Sequence, residues 1–144
     1  MSHEELKEVI FAKGHRNILA THPTTFEFTK EDAVSKRGNC IIAVSADKGL
    51  QDLNWEFRER LRKQNARLVM LLEAGGEAET VKAFGSASLT LTDMQEAVVR
   101  KSNYTSKRTL AVKADKAAAD LSRQLVRNLN NPNQEVKITL TVRA

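Results

Sequence analysis

One cysteine, Cys40, stands in 144 residues, so no disulfide can form within the chain and an intracellular setting is expected. Two prolines and six glycines leave no low-complexity segment and no linker of any length. No apolar run approaches the roughly 20 residues that span a bilayer. The longest, Leu68 to Leu72, reads as a buried strand. The N-terminus, MSHEELKEVIFAKGH, begins acidic and breaks its apolar run too early for a signal peptide. No membrane partner is expected, and the location is read as cytoplasmic. Metal-ligand spacing is also missing: there is no Cys-x-x-Cys, no His-Glu-x-x-His and no spaced acidic loop. A metal would need His15, His22 and Cys40 to converge, so none is assigned, and the sequence identifies no cofactor.

What is present suits a soluble globular chain read as a single domain, residues 1–144, with 41% hydrophobic and 28% charged residues. The formal charge of +5 and pI of about 9.5 favour anionic partners.

The chain repeats itself. Ile41 to Leu53 reads IIAVSADKGLQDL, and Thr109 to Leu121 reads TLAVKADKAAADL, with seven of thirteen positions identical. The offset of 68 continues without a gap through Phe57/Leu125, Leu61/Leu129, Leu68/Val136, Met70/Ile138 and Leu72/Leu140. Two copies of one supersecondary unit imply halves at about 6–73 and 79–144, related by a pseudo-two-fold, each covering the other's apolar face. Ala74-Gly75-Gly76-Glu77 is the seam.

Within the first half, Glu8 to Lys13, Thr24 to Lys30 and Cys40 to Ser45 read as extended. Phe26 and Phe28 alternate with Thr25, Glu27 and Thr29, the pattern of a strand with one wet face. A helix is expected from Lys48 to Gln64, since Leu50, Leu53, Phe57 and Leu61 fall within about 40° of one helical meridian. Asp47 is placed as its N-cap, and Arg67 to Glu73 closes the unit. In the second half Thr80 to Phe84, Ala87 to Thr92, Glu96 to Ser102 and Thr109 to Ala114 read as extended. Asp115 then leads a helix over Lys116 to Asn130, with Ala118, Leu121, Leu125 and Leu129 as its stripe, and Pro132 stops it. Val136 to Val142 alternates with lysine, threonine and arginine, the mark of a strand guarded against edge-to-edge pairing. The expected fold is therefore α+β and β-rich: duplicated strand-strand-helix-strand units forming a barrel-like or sandwich sheet system with two helices.

The segments AKGHRNILATHPTTFEFTKE, SKRGNCIIAVSADKG, VVRKSNYTSKRTL and KADKAAADL resemble an archaeal family known only as domain of unknown function 371. The resemblance covers nearly the whole chain and implies an archaeal protein with a β-rich duplicated domain. It carries no activity. Asn39 stands where the resemblance would put an aspartate, which removes a carboxylate from that turn.

Two polar clusters are candidates. The first joins Gly14-His15 to Thr21-His22-Pro23-Thr24-Thr25; a histidine can move protons near neutral pH, and threonine hydroxyls can hold an anion. His15 has Ser86 at the matching place in the other half, so it belongs to one half only. The plainer reading is that His15 simply follows a glycine turn and that His22 bonds backbone ahead of Pro23. The second cluster is Arg100-Lys101-Ser102 with Ser106-Lys107-Arg108-Thr109, a loop that brings cations around Tyr104; guanidinium forks and hydroxyls suit phosphate, and the ring can stack on a base. The plainer reading is a solvated basic loop. Lys48 and Lys116 each follow a capping aspartate, where an ammonium opposes the helix dipole and so calls for an anion. Trp55 lies about 140° off the apolar stripe and reads as a homodimer contact rather than a base-stacking surface.

The leading expectation is a protein that binds a phosphorylated or other anionic ligand, a nucleotide or nucleic acid, through His15, His22, Thr24, Thr25, Arg100, Lys101, Ser102 and Arg108, with Lys48 and Lys116 as further contacts. The alternative is a small enzyme with His15 or His22 as general base on an anionic substrate. A structural homodimer without a small-molecule site is the third reading.

Overall fold

The computed structural model describes residues 5–34 and 37–144. Met1 to Glu4, at the head of the segment read as no signal peptide, and Ser35-Lys36 of the SKRGN block lie outside those residues. The elements in order are β1 (Leu6–Lys13), β2 (Thr25–Thr29), β3 (Ile41–Ala43), α1 (Trp55–Leu61), β4 (Arg67–Ala74), β5 (Glu77–Phe84), β6 (Glu96–Arg100), β7 (Thr109–Ala111), α2 (Arg123–Leu129) and β8 (Glu135–Arg143). They form two four-stranded sheets, β1-β8-β4-β5 and β3-β2-β6-β7. The sheets stay separate and do not close into the barrel that was one expectation. They touch at two corners, where Lys13 exchanges backbone bonds with Val44 and Phe84 with Val112.

Strand alternation builds the core. Ile10, Leu68, Met70, Leu72, Val81, Ile138 and Leu140 of the first sheet and Phe26, Phe28, Ile42, Val99 and Leu110 of the second belong to one buried cluster. Each large side chain so buried contributes roughly 1.5–3 kcal/mol before entropy is counted. Both expected apolar stripes, Leu50/Leu53/Phe57/Leu61 and Ala118/Leu121/Leu125/Leu129, point into it.

The helices themselves are shorter than expected. A single 3₁₀ turn covers Leu50–Asp52 and another Ala118–Asp120; the chain then straightens at Leu53 and Leu121 before α1 and α2 begin. The N-caps are consequently Asn54 and Ser122. Asp47 and Asp115 cap nothing: their carboxylates accept the backbone N–H of Phe11 and Lys82 on the neighbouring strands. Ala87 to Thr92 is irregular rather than a strand, although Leu89 and Leu91 are fully buried.

β8 was expected at an edge and lies inside the sheet, between β1 and β4. Its lysine, threonine and arginine positions mark a wet face, not a free edge. Leu68 to Leu72 is interior as expected, but Val69 on its outer face is 39% exposed.

Several arrangements recur along the chain. β1 pairs with β8 as β5 pairs with β4, and the parallel pair β2·β3 is matched by β6·β7. Left-handed backbone recurs at Ala20 and Leu91 and at Ser45 and Lys113. Gly14 follows β1 and Gly85 follows β5; a Cβ on Gly14 would stand 2.4 Å from the Leu129 carbonyl oxygen, and one on Gly85 1.9 Å from that of Leu61. Each helix C-terminus thus rests on a strand end that only glycine can supply. No helix among the described residues is long and apolar enough to cross a membrane.

Candidate functional site

Adjoining ends of β2 and β6 in the second sheet bring several of the candidate residues near one another. β2 and β6 run antiparallel with Thr25 opposite Arg100, and the Thr24 carbonyl accepts the Lys101 N–H at 2.9 Å. His22 adjoins this pair: its Nδ1 accepts the amides of Thr24 and Thr25 at 3.2 and 3.1 Å. Asp93 performs the same service for Gln95 and Glu96 at the entry to β6. An acceptor two residues upstream is what the turn needs, and imidazole and carboxylate meet it equally. His22 is therefore engaged through Nδ1 as a turn former.

His15 belongs elsewhere. Its N–H donates to the Leu129 carbonyl at the end of α2, and its Nδ1 accepts the Asn17 amide at 3.0 Å, as Ser86 Oγ accepts Ser88. No hydrogen bond or ion pair among the described residues joins it to the Arg100 group.

The candidate cations differ in one decisive respect. Lys48 pairs with Glu8 at 2.7 Å, Lys116 with Glu79 at 2.8 Å, Lys101 with Asp120 at 2.7 Å, and Arg108 with Glu96. The anion that Lys48 and Lys116 call for is thus internal. Glu8 and Glu79 each use their second oxygen to accept the Asn54 and Ser122 amides ahead of the two helices. Arg100 alone of the five lacks a carboxylate partner among the described residues. Its Nε donates to Thr109 Oγ1 at 3.0 Å, its Nη2 to Ser106 Oγ at 3.4 Å, and its guanidinium lies 4.9 Å from the centre of the Tyr104 ring. Burial and the Arg108 charge lower its pKa from the ordinary value, but an arginine remains charged in any such setting. The Ser102 hydroxyl accepts the Tyr104 amide within its own loop.

The same sheet holds a group that sequence reasoning missed. Glu27, at the middle of β2, was assigned to a wet face yet is 6% exposed. The Cys40 thiol donates to its carboxylate at 3.4 Å. Burial raises the Glu27 pKa most, the Glu96 charge adds to this, and the Cys40 bond and Arg108 charge pull it back, leaving it at about 7. Burial together with Glu27's charge and hydrogen bond pushes the Cys40 thiol up to about 12. A carboxyl poised near neutrality is equipped to take or give a proton; a thiol held protonated is a poor nucleophile. The signal was a glutamate between two phenylalanines, which alternation alone reads as solvent-facing.

No cluster of three or more histidine, cysteine, aspartate or glutamate side chains able to hold a metal occurs among the described residues.

Comparison with known proteins adds kinship rather than chemistry. An uncharacterized protein of Methanocaldococcus jannaschii, MJ0206, is 42% identical over 121 residues, covering 84% of this chain and 89% of that protein. The family described as Domain of unknown function (DUF371) matches residues 10–143. That span takes in every candidate residue above, and the chain belongs to this family.

Proposed function

We propose that this protein binds a small anionic ligand, such as a nucleotide or another phosphorylated compound, at the adjoining ends of β2 and β6 in the second sheet. The observation that carries this reading is Arg100: a guanidinium held by two hydroxyls and an aromatic ring, with no ion-pair partner among the described residues and the Glu27 charge acting on it only from beyond contact distance. A guanidinium without an ion-pair partner favours an anion, and Tyr104, 61% exposed above it, offers a stacking surface for a planar group. Thr24, Thr25 and Lys101 border the same strand ends. A thermal-shift screen of phosphate, nucleotides and short RNAs tests this. Anions should raise the melting temperature less as salt increases, and Arg100→Ala should abolish the shift. If none raises it, or the shift survives Arg100→Ala, the reading fails.

Glu27 favours a second reading, an acid–base enzyme acting on an anionic substrate. The proton-transferring group is then Glu27 rather than His15 or His22, whose Nδ1 atoms are engaged by backbone. Activity in a hydrolase screen that is lost in Glu27→Gln, with affinity retained, tests it.

We also infer that the halves are copies of one unit related by a pseudo-two-fold axis passing between β2 and β6 and between β4 and β8. The recurring Lys48–Glu8 and Lys116–Glu79 pairs support this. Residues 41–74 should superpose on 109–142 by a rotation near 180°; helices that miss each other would refute it.

A further inference from the structure

The outer face of the first sheet carries a cavity of about 370 Å³ that none of the features above uses. Strand register explains its walls. Arg67 of β4 lies directly opposite Arg143 of β8, and Val69 opposite Thr141. On the other side Val69 pairs with Lys82 of β5, and Arg67 with Phe84. Leu68, Ala83 and Val142 turn into the core, so the alternation sends their neighbours outward.

Like charges directly across a strand pair repel, and here the repulsion is only partly relieved. Arg143 takes Glu5 as its ion-pair partner. The Arg67 guanidinium and the Lys82 ammonium have no ion-pair partner among the described residues. The site therefore holds three cations against one carboxylate. Between them the floor is apolar: Val69 is 39% exposed and Phe84 is half-buried.

We propose that this cavity binds a small organic anion, an apolar or aromatic body bearing one carboxylate or phosphate. The anionic head lies between Arg67 and Lys82 with the Thr141 hydroxyl as a further donor, and the body covers Val69 and Phe84. A guanidinium fork accommodates either head group, and the volume suits a molecule of mononucleotide size or smaller. The site is on the other sheet from Arg100 and does not depend on the function proposed there.

The test is to titrate the ¹⁵N-labelled protein with inorganic phosphate, benzoate and adenosine monophosphate, following the amides of Val69, Lys82 and Thr141 by NMR. Benzoate or the nucleotide should shift them saturably and bind more tightly than inorganic phosphate; the tighter of the two names the head group. Arg67→Met and Lys82→Met should each weaken binding about tenfold or more, the loss of one charge-assisted bond, while Arg100→Ala leaves it unchanged. Absence of saturable shifts, wild-type affinity in the Arg67→Met and Lys82→Met proteins, or shifts that vanish with Arg100→Ala would each overturn the proposal. Inorganic phosphate binding as tightly as the organic anions would overturn the role of the apolar floor.

Discussion

The Cys40 thiol donates to the Glu27 carboxylate across 3.4 Å; the carboxylate holds the thiol protonated, while the thiol's bond eases the ionisation that burial opposes at Glu27. The pairing keeps a sulfur protonated and a carboxyl poised within one covered layer of the second sheet.

Stability should depend on pH through Glu27. Its folded pKa of about 7 stands above the ordinary 4.5, so the folded state holds the proton more tightly than the unfolded chain. The contribution is full below about 4.5 and is lost as pH rises through 7, amounting to at most about 3 kcal/mol. Glu79, Asp52 and Asp120 act with the opposite sign. For Glu79, burial opposes the shift but the Lys116 and Ser122 bonds outweigh it. Asp52 is lowered by the Gly49 amide and Lys30, and Asp120 by Lys101 and the Ala117 amide. Their contribution is present above the ordinary carboxylate range and lost as pH falls. Urea denaturation across pH should show a maximum on the acid side of neutral, and Glu27→Gln should flatten the limb between 5 and 8.

Cys40 should alkylate slowly. At pH 8 a thiol with a pKa near 12 presents almost no thiolate. Iodoacetamide should label the native protein far more slowly than the urea-unfolded chain, as read by mass spectrometry.

Glu8 and Glu79 should matter more for stability than any exposed pair. Removing either carboxylate strands a lysine and a backbone amide together, so Glu8→Ala and Glu79→Ala should each cost about 2–4 kcal/mol. Lys30→Ala, which breaks the exposed bridge to Asp52, should cost under about 1 kcal/mol. Urea midpoints compare the three.

Gly85→Ala should destabilise by about 1–3 kcal/mol, because the new methyl meets the Leu61 carbonyl and the end of α1 must shift. A urea midpoint within error of the wild type would show that the approach is looser than described.

Trp55 opens α1 with 66% of its surface exposed. If it anchors a second copy, Trp55→Ala should move the light-scattering mass from dimer to monomer while circular dichroism stays native. A wild type already monomeric disposes of that contact.

Much of the fold was legible because periodicity depends only on local geometry. The stripes Leu50/Leu53/Phe57/Leu61 and Ala118/Leu121/Leu125/Leu129 point inward whether or not the helix carrying them is broken. The break itself was hidden: Asp47 and Asp115 look like caps, and only the adjacent strands Leu6–Lys13 and Glu77–Phe84 show whose amides they accept. The site was less legible for the same reason. Whether Lys48 is free depends on Glu8, 40 residues away, and whether Glu27 is wet depends on a fold that sets it beside Cys40, Glu96 and Arg108. Neither is encoded in spacing.

The order of strands in the first sheet has a consequence in time. β1 precedes every other strand in the chain, yet its one neighbour is β8, which follows all the others. During synthesis the first strand must wait, its apolar face uncovered and its edge unpaired, until the final strand arrives. Closing so long a loop is slow, and the lysines spaced along β1, Lys7 and Lys13, guard the waiting edge against strands of other chains.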